Sequence, residues 1–211
     1  GVSIKVMPEH VPNAVIAIED ERFYEHNGFD IKGIARAFFG NLLAGGITGG
    51  GSTLTQQLTK NALLSSERTY KRKVEELFLA VELEKVYEKD EIIEMYLNQV
   101  YFGSGAFGIN NASKKYFAKD IQDVTISEAA LLAGLLKAPS ALDPYNNYDA
   151  AIKRRNVVLS KMNELGMISD TEYKKAKSEK IVLEDGGGSL ADRKYPSYVD
   201  AVLDEATSKY G

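Results

Sequence analysis

Thr125-Ile126-Ser127-Glu128-Ala129-Ala130-Leu131-Leu132-Ala133-Gly134-Leu135-Leu136 decides the fold class. Thr125 and Glu128 stand at the spacing at which a hydroxyl and a carboxylate satisfy each other's backbone N–H groups at a helix start. The Ala/Leu-rich run behind them has high helix propensity and ends near Pro139, which cannot continue a helix. The same grammar recurs on both sides. Downstream, a helix runs from about Tyr148 to Leu165 with Gly166 as its C-terminal stop, and Ser169 with Glu172 forms another box. Upstream, Asp30 caps Ile31, Ile34, Ala35, Phe38, Phe39 and Leu42 at helical spacing until Gly45-Gly46. Ser52 opens a helix after the Gly-rich loop Gly45–Gly51, Ser66 caps a run through Glu88, and Asp90 caps one through about Tyr101. A mainly α chain is expected.

Composition narrows the function classes. The 211 residues are 44% hydrophobic and 27% charged, ordinary values for a globular chain of one domain or two lobes. With no Cys, disulfides, thiolate metal sites and cysteine nucleophiles are excluded. A net charge of −4 argues against nucleic-acid binding, which needs a basic surface. No apolar run approaches the about 20 residues that span a bilayer, and the chain opens without the basic and apolar regions of a signal peptide. Work at a membrane is therefore expected to use a surface, or an anchor outside this sequence. Beyond Ile181 the stretch Glu184-Asp185-Gly186-Gly187-Gly188-Ser189 reads as a linker. The expected division is a domain over 1–183 and a linker or C-terminal segment over 184–211.

Three features carry candidate chemistry. In Glu19-Asp20-Glu21 an apolar helix containing Val15, Ala17 and Ile18 runs into consecutive acids, which oppose the helix dipole. A carboxylate at such an apolar edge suits a general base, although a solvated helix end reads the same way. The loop Gly45–Gly51 before Ser52 lets backbone approach an anion, as a phosphate cradle or as a mobile surface loop. It is no nucleotide loop, because Ser52 stands where Lys would be needed. The helix Ser66–Glu88 shows two apolar stripes, Val74, Leu77, Phe78 and Val81 opposite Leu79, Ala80 and Leu83, so burial all round is expected. Glu76 falls within the second stripe one turn after Arg72, as a structural ion pair or as site residues.

These segments together resemble the peptidoglycan glycosyltransferase family (glycosyltransferase family 51), known as monofunctional enzymes and as a module of class A penicillin-binding proteins. Glu19-Asp20-x-x-Phe23-x-x-His26-x-Gly28 resembles the family's first motif. Gly50-Gly51-Ser52-Thr53-Leu54-Thr55-Gln56-Gln57 with Lys60-Asn61 resembles the second, and Arg72-Lys73-x-x-Glu76 the third. Tyr96-Leu97-Asn98 through Gly108 is similar to the fourth, and Ser127, Glu128, Leu132, Ala133 and Pro139 to the fifth. The likeness runs from about Pro12 to Lys180 in the family's order. Leu54 departs from it, standing where Ile is common.

The resemblance implies a lysozyme-like helical large lobe, a smaller membrane-facing lobe and an elongated cleft between them. It implies polymerisation of lipid II on the extracytoplasmic face of the cell membrane, with undecaprenyl pyrophosphate leaving, and moenomycin as an inhibitor. By similarity Glu19 is the general base on the acceptor GlcNAc 4-hydroxyl. Glu76 would assist pyrophosphate departure directly, through a water or through a divalent cation (Mg or Mn); no organic cofactor is implied. Asp20, Phe23, His26, Gly50, Ser52, Thr53, Gln57, Lys60, Asn61, Arg68, Arg72 and Asn98 match substrate-binding positions. The partners implied are lipid II, the growing glycan, a membrane surface and other cell-wall synthesis or division proteins, with no nucleic acid. The Ile31–Leu43 helix, with Ile34, Phe38, Phe39 and Leu42 flanked by Lys32 and Arg36, fits the interface, though a core helix has the same period. Two other readings compete: a glycan-cleaving enzyme of lysozyme or lytic type, which also uses paired carboxylates, and a catalytically dead glycan-binding module. The cationic set Lys60, Arg68 and Arg72 beside an anion loop favours pyrophosphate chemistry over the first, and retention of Glu19 and Glu76 argues against the second.

Overall fold

A computed structural model describes residues 1–44, 51–64 and 67–184. Its helices are α1 (His10–Glu19), α2 (Ile31–Ala44), α3 (Leu54–Leu63), α4 (Tyr70–Val86), α5 (Lys89–Gln99), α6 (Ile109–Phe117), α7 (Ile126–Leu135), α8 (Tyr148–Glu164) and α9 (Asp170–Ser178). Among the described residues there is no strand, and an isolated bridge joins Tyr101 to Phe107. No helix among them is long and apolar enough to cross a membrane.

The capping boxes at Thr125/Glu128 and Ser169/Glu172 form as expected. Three helix starts differ from expectation. Thr53 rather than Ser52 caps α3, in a box with Gln56, because its hydroxyl reaches the Gln56 N–H. The helix expected from Ser66 begins at Tyr70 with Thr69 as cap, and Ser66 lies outside the described residues. Asp90 sits in the first turn of α5 rather than ahead of it, and that helix ends at Gln99.

The described residues divide into two compact units, one of residues 1–18 and 98–184, the other within residues 19–97. The first is built around α7, buried at every position from Ser127 to Leu135. Gly134 lets α8 cross it closely: a Cβ there would lie 2.8 Å from Arg154 Cγ. Arg155 of α8 is buried and donates to the carbonyls of Lys177 and Glu179, both at 2.8 Å, which satisfies the C-terminal end of α9. The glycines of the Tyr96–Gly108 stretch also have structural reasons. Gly103 takes φ +87° with the Pro139 carbonyl 2.7 Å from where a Cβ would sit. No capping side chain announces α6, which starts from Gly108 at φ +86°.

The second unit holds α2 to α4 and most of α5, and here the expected burial of α4 fails. Tyr70, Val74 and Phe78 are 94%, 64% and 63% exposed, while Glu76 and Ala80 on another face are buried. Its main neighbour is α3, and one neighbour covers one face. Nor is α2 a core helix: Ile31, Ile34, Phe38 and Phe39 are all exposed. Beside an apolar set that includes Phe23, Leu54, Ile92, Ile93 and Leu97, the unit buries many polar side chains, among them Asp20, His26, Thr55, Gln56, Thr59 and Glu76.

Candidate active site

The first candidate base, Glu19, is the last residue of α1, on an apolar helix whose Val11, Ala14, Val15, Ile16 and Ala17 are buried. Its carboxylate acts on the buried Tyr96 of α5, whose phenol ionises well above its ordinary range because of burial first and the Glu19 charge second. The Tyr96 hydroxyl donates to Gln57 Oε1 at 3.0 Å, linking α5 to α3 beside that carboxylate. Asp20 is not a solvated end. It is buried, and its Oδ2 accepts from His26 Nε2 at 2.7 Å and from the Leu54 N–H at 3.0 Å. Phe23 is fully buried, edge-on to His26, with Lys89 Nζ 4.7 Å from its ring centroid. These two motif residues therefore hold the turn behind Glu19.

Glu76 lies on the buried face of α4. Its Oε1 accepts from Lys73 Nζ at 2.8 Å and from Gln56 Nε2 at 3.3 Å, and the same Lys73 ammonium lies 2.7 Å from Ser52 Oγ. The expected Arg72–Glu76 pair does not form. Arg72 turns instead to Glu75 at 2.7 Å and Glu67 at 3.4 Å, because Glu76 faces α3 and Lys73 reaches it from one turn earlier. Arg72 Nε is buried without a hydrogen-bond partner among the described residues. It borders an open cavity of about 680 Å³ whose walls include Lys60, Arg68, Lys73 and Glu76. That volume is ample for a small anionic group.

The candidates divide by location. Glu19, Asp20, Phe23, His26, Ser52, Thr53, Gln57, Lys60, Asn61, Arg68, Arg72 and Glu76 all belong to the second unit, and Lys60, Asn61 and Arg68 are exposed there. Thr53 is buried and donates through Oγ1 to the Gly28 carbonyl at 2.7 Å. Gly50 lies outside the described residues, as does the cradle as far as that residue. Gly51 has a packing reason, since a Cβ there would lie 2.9 Å from Ile34 Cα. Asn98 belongs to the first unit, where its amide exchanges hydrogen bonds with the Val2 backbone at 2.7 and 2.9 Å. Sequence reasoning assigned no role to Lys73, Glu84 or Lys89. The first was legible as the (i, i+3) partner of Glu76; the other two carry no local signal.

The described residues bring no three His, Asp or Glu side chains together as a cation site. Glu67 and Glu76 are the carboxylates that line the cationic cavity, and Glu76 Oε1 is already paired with Lys73.

A transglycosylase family model matches residues 1–163. Penicillin-binding protein 1F of Bacillus subtilis is 46% identical over 209 residues, covering 99% of this chain and 29% of that protein. Penicillin-binding protein 1A of Aquifex aeolicus is 42% identical over 213 residues, covering all of this chain and 28% of that protein. Among solved structures, penicillin-binding protein 1A from Haemophilus influenzae superposes with a TM-score of 0.54 at 24% identity, covering 99% of this chain and 21% of that one, a likeness of fold. The chain thus spans under a third of the length of these relatives.

Proposed function

The chain belongs to the transglycosylase family, and from that premise we propose that it is a peptidoglycan glycosyltransferase of cell-wall synthesis that polymerises lipid II. One observation carries the reading: the Arg72 Nε donor, buried and without a hydrogen-bond partner among the described residues, beside a cavity also walled by Lys60, Arg68 and Lys73. An unsatisfied buried donor costs about 1–3 kcal/mol, a cost that a phosphate oxygen would remove. Cations so grouped stabilise charge on a departing pyrophosphate, and a hydrolase acting on sugar alone has no use for them.

In this reaction the 4-hydroxyl of the acceptor GlcNAc attacks the donor's anomeric carbon. Glu19 takes the hydroxyl proton as the new glycosidic bond forms. The bond from that carbon to the undecaprenyl pyrophosphate oxygen breaks, and the oxygen keeps the electron pair. Lys60, Arg68, Arg72 and Lys73 face the resulting charge, and Glu76 holds Lys73 in place for it. A divalent cation would find the Glu67 and Glu76 carboxylates here, each already paired with a cation, and would depend on substrate phosphate oxygens for its other ligands, the usual habit of Mg²⁺. No step is routed through it.

The exposed Phe38 and Phe39 of α2, with Lys32 and Arg36, would rest on the anionic lipid surface that presents the substrate. The site would then work at the extracytoplasmic face of the cell membrane. Residues 184–211 would lead towards a transpeptidase domain, and cell-wall synthesis or division proteins would be partners of the whole. The test is incubation with lipid II and analysis of products: glycan polymer supports the reading. Soluble muropeptides would replace it with cleavage, and retention without turnover would replace it with binding alone.

A further inference from the structure

Behind the Glu19 turn lies a buried polar cluster that the proposed chemistry does not use directly. The side chains of Asp20, His26 and Glu84 are 1%, 5% and 6% exposed, and that of Lys89 is 20% exposed. Glu84, near the end of α4, accepts from Lys89 Nζ at 2.6 Å and from Thr55 Oγ1 at 2.8 Å. Lys89, the first residue of α5, also lies 3.3 Å from His26 Nδ1. His26 in turn holds Asp20, which receives the Leu54 N–H of α3.

We propose that Glu84 and Lys89 are positioning residues for glycosyl transfer, fixing the His26 imidazole so that Asp20 ties the Glu19 end of α1 to the N-terminus of α3. The proposal rests on the glycosyltransferase reading above. Stability alone is a poor explanation for the cluster. Replacing buried ion networks by apolar side chains is often neutral or stabilising, so what such a network supplies here is geometry. The geometry in question joins the base to the helix carrying Thr53, Gln57 and Lys60.

The state of His26 matters because of its Nδ1. That atom accepts the Gly28 N–H at 3.0 Å, which leaves the proton on Nε2 to be donated to Asp20. The Gly28 carbonyl accepts from Thr53, the cap of α3, so one residue links the imidazole at its N–H to the cap at its carbonyl. Glu84 Oε2 stands 3.4 Å from the same Nδ1, as the acceptor to which a protonated ring would turn, releasing Gly28. The charges facing His26 are Asp20 after α1, Asp30 ahead of α2, Glu84 of α4 and Lys89 of α5. Burial lowers the basicity of His26, and hydrogen bonds to Asp20 and Glu84 more than restore it, so the net direction is upward.

The experiment uses Glu84→Gln, Lys89→Met and Lys89→Arg, read by lipid II kinetics, thermal unfolding and NMR titration of His26. The chain has two histidines, which keeps the assignment simple. Glu84→Gln and Lys89→Met are expected to lower kcat about tenfold or more per folded molecule with KM within about twofold, the mark of lost transition-state geometry. Lys89→Arg restores part of that loss. Glu84→Gln also lowers the His26 titration midpoint. Wild-type-like kcat in folded Glu84→Gln and Lys89→Met, with or without a lower Tm, overturns the proposal. If Glu84→Gln does not fold, the two Lys89 variants decide by the same criterion. If the wild type makes no polymer, the functional reading has failed, and an unmoved His26 midpoint in Glu84→Gln then overturns the coupling separately.

Discussion

Helices α7 and α4 put their apolar faces to opposite use. Each carries apolar residues on more than one face. In the first unit α7 is wrapped and buried from Ser127 to Leu135, whereas in the second α4 leaves Val74 and Phe78 to solvent and buries Glu76. Apolar periodicity states which faces suit burial; the number of neighbours decides which are buried. The first unit is an apolar scaffold. The second buries a polar cluster beside its apolar residues and leaves Phe38, Phe39, Tyr70 and Phe78 outside, and most of the candidate chemistry lies there.

The comparison can be broken at several points. Leu131 of α7 is fully buried, so Leu131→Ala is expected to cost about 2–5 kcal/mol in denaturant unfolding. A loss below about 1 kcal/mol would remove α7 as the centre of the scaffold. In the second unit, Lys73→Met strips the nearest cation from Glu76, whose side chain is 7% exposed, and should cost about 1–3 kcal/mol. No loss there would mean that Gln56 alone satisfies the carboxylate.

A smaller effect should appear with pH. His26 is more basic folded than its ordinary 6.5, so its contribution is complete below 6.5 and lost as pH rises through the folded value. Glu84 is more acidic folded than its ordinary 4.5, because hydrogen bonds from His26, Lys89 and Thr55 outweigh burial; its contribution is present above 4.5 and lost on acidification. Stability should therefore peak between these limits, and His26→Gln should flatten the alkaline side. An unchanged alkaline slope in that variant would show that the polar interior does not govern it. The smallest effect is expected outside. Phe38→Ser with Phe39→Ser should leave stability within about 0.5 kcal/mol. Binding to anionic vesicles should fall about a hundredfold or more, as expected when about 1.5–3 kcal/mol of aromatic burial per ring is withdrawn. A large stability loss would make α2 a core helix after all.

Much of this was legible in the sequence where the signal is local. Thr125 with Glu128 and Ser169 with Glu172 announced their helices, because a capping box is complete within four residues. The motif around Glu19, Asp20 and His26 likewise placed the polar centre of the second unit. What escaped depends on distant chain. Lys73 rather than Arg72 meets Glu76 because α3 lies on that side, and Glu84 reaches His26 across a separation that no spacing rule encodes. Asn98 holding Val2 is another such contact.

The central proposal is that the second unit carries both Glu19 as a base and a cationic leaving-group site, and Glu19→Gln tests it most directly. The amide keeps the shape of the carboxylate and cannot take a proton, so lipid II polymerisation should fall by about 10²–10⁴ with Tm unchanged. Polymer formation within about threefold of wild type, at equal folded protein, would contradict the account.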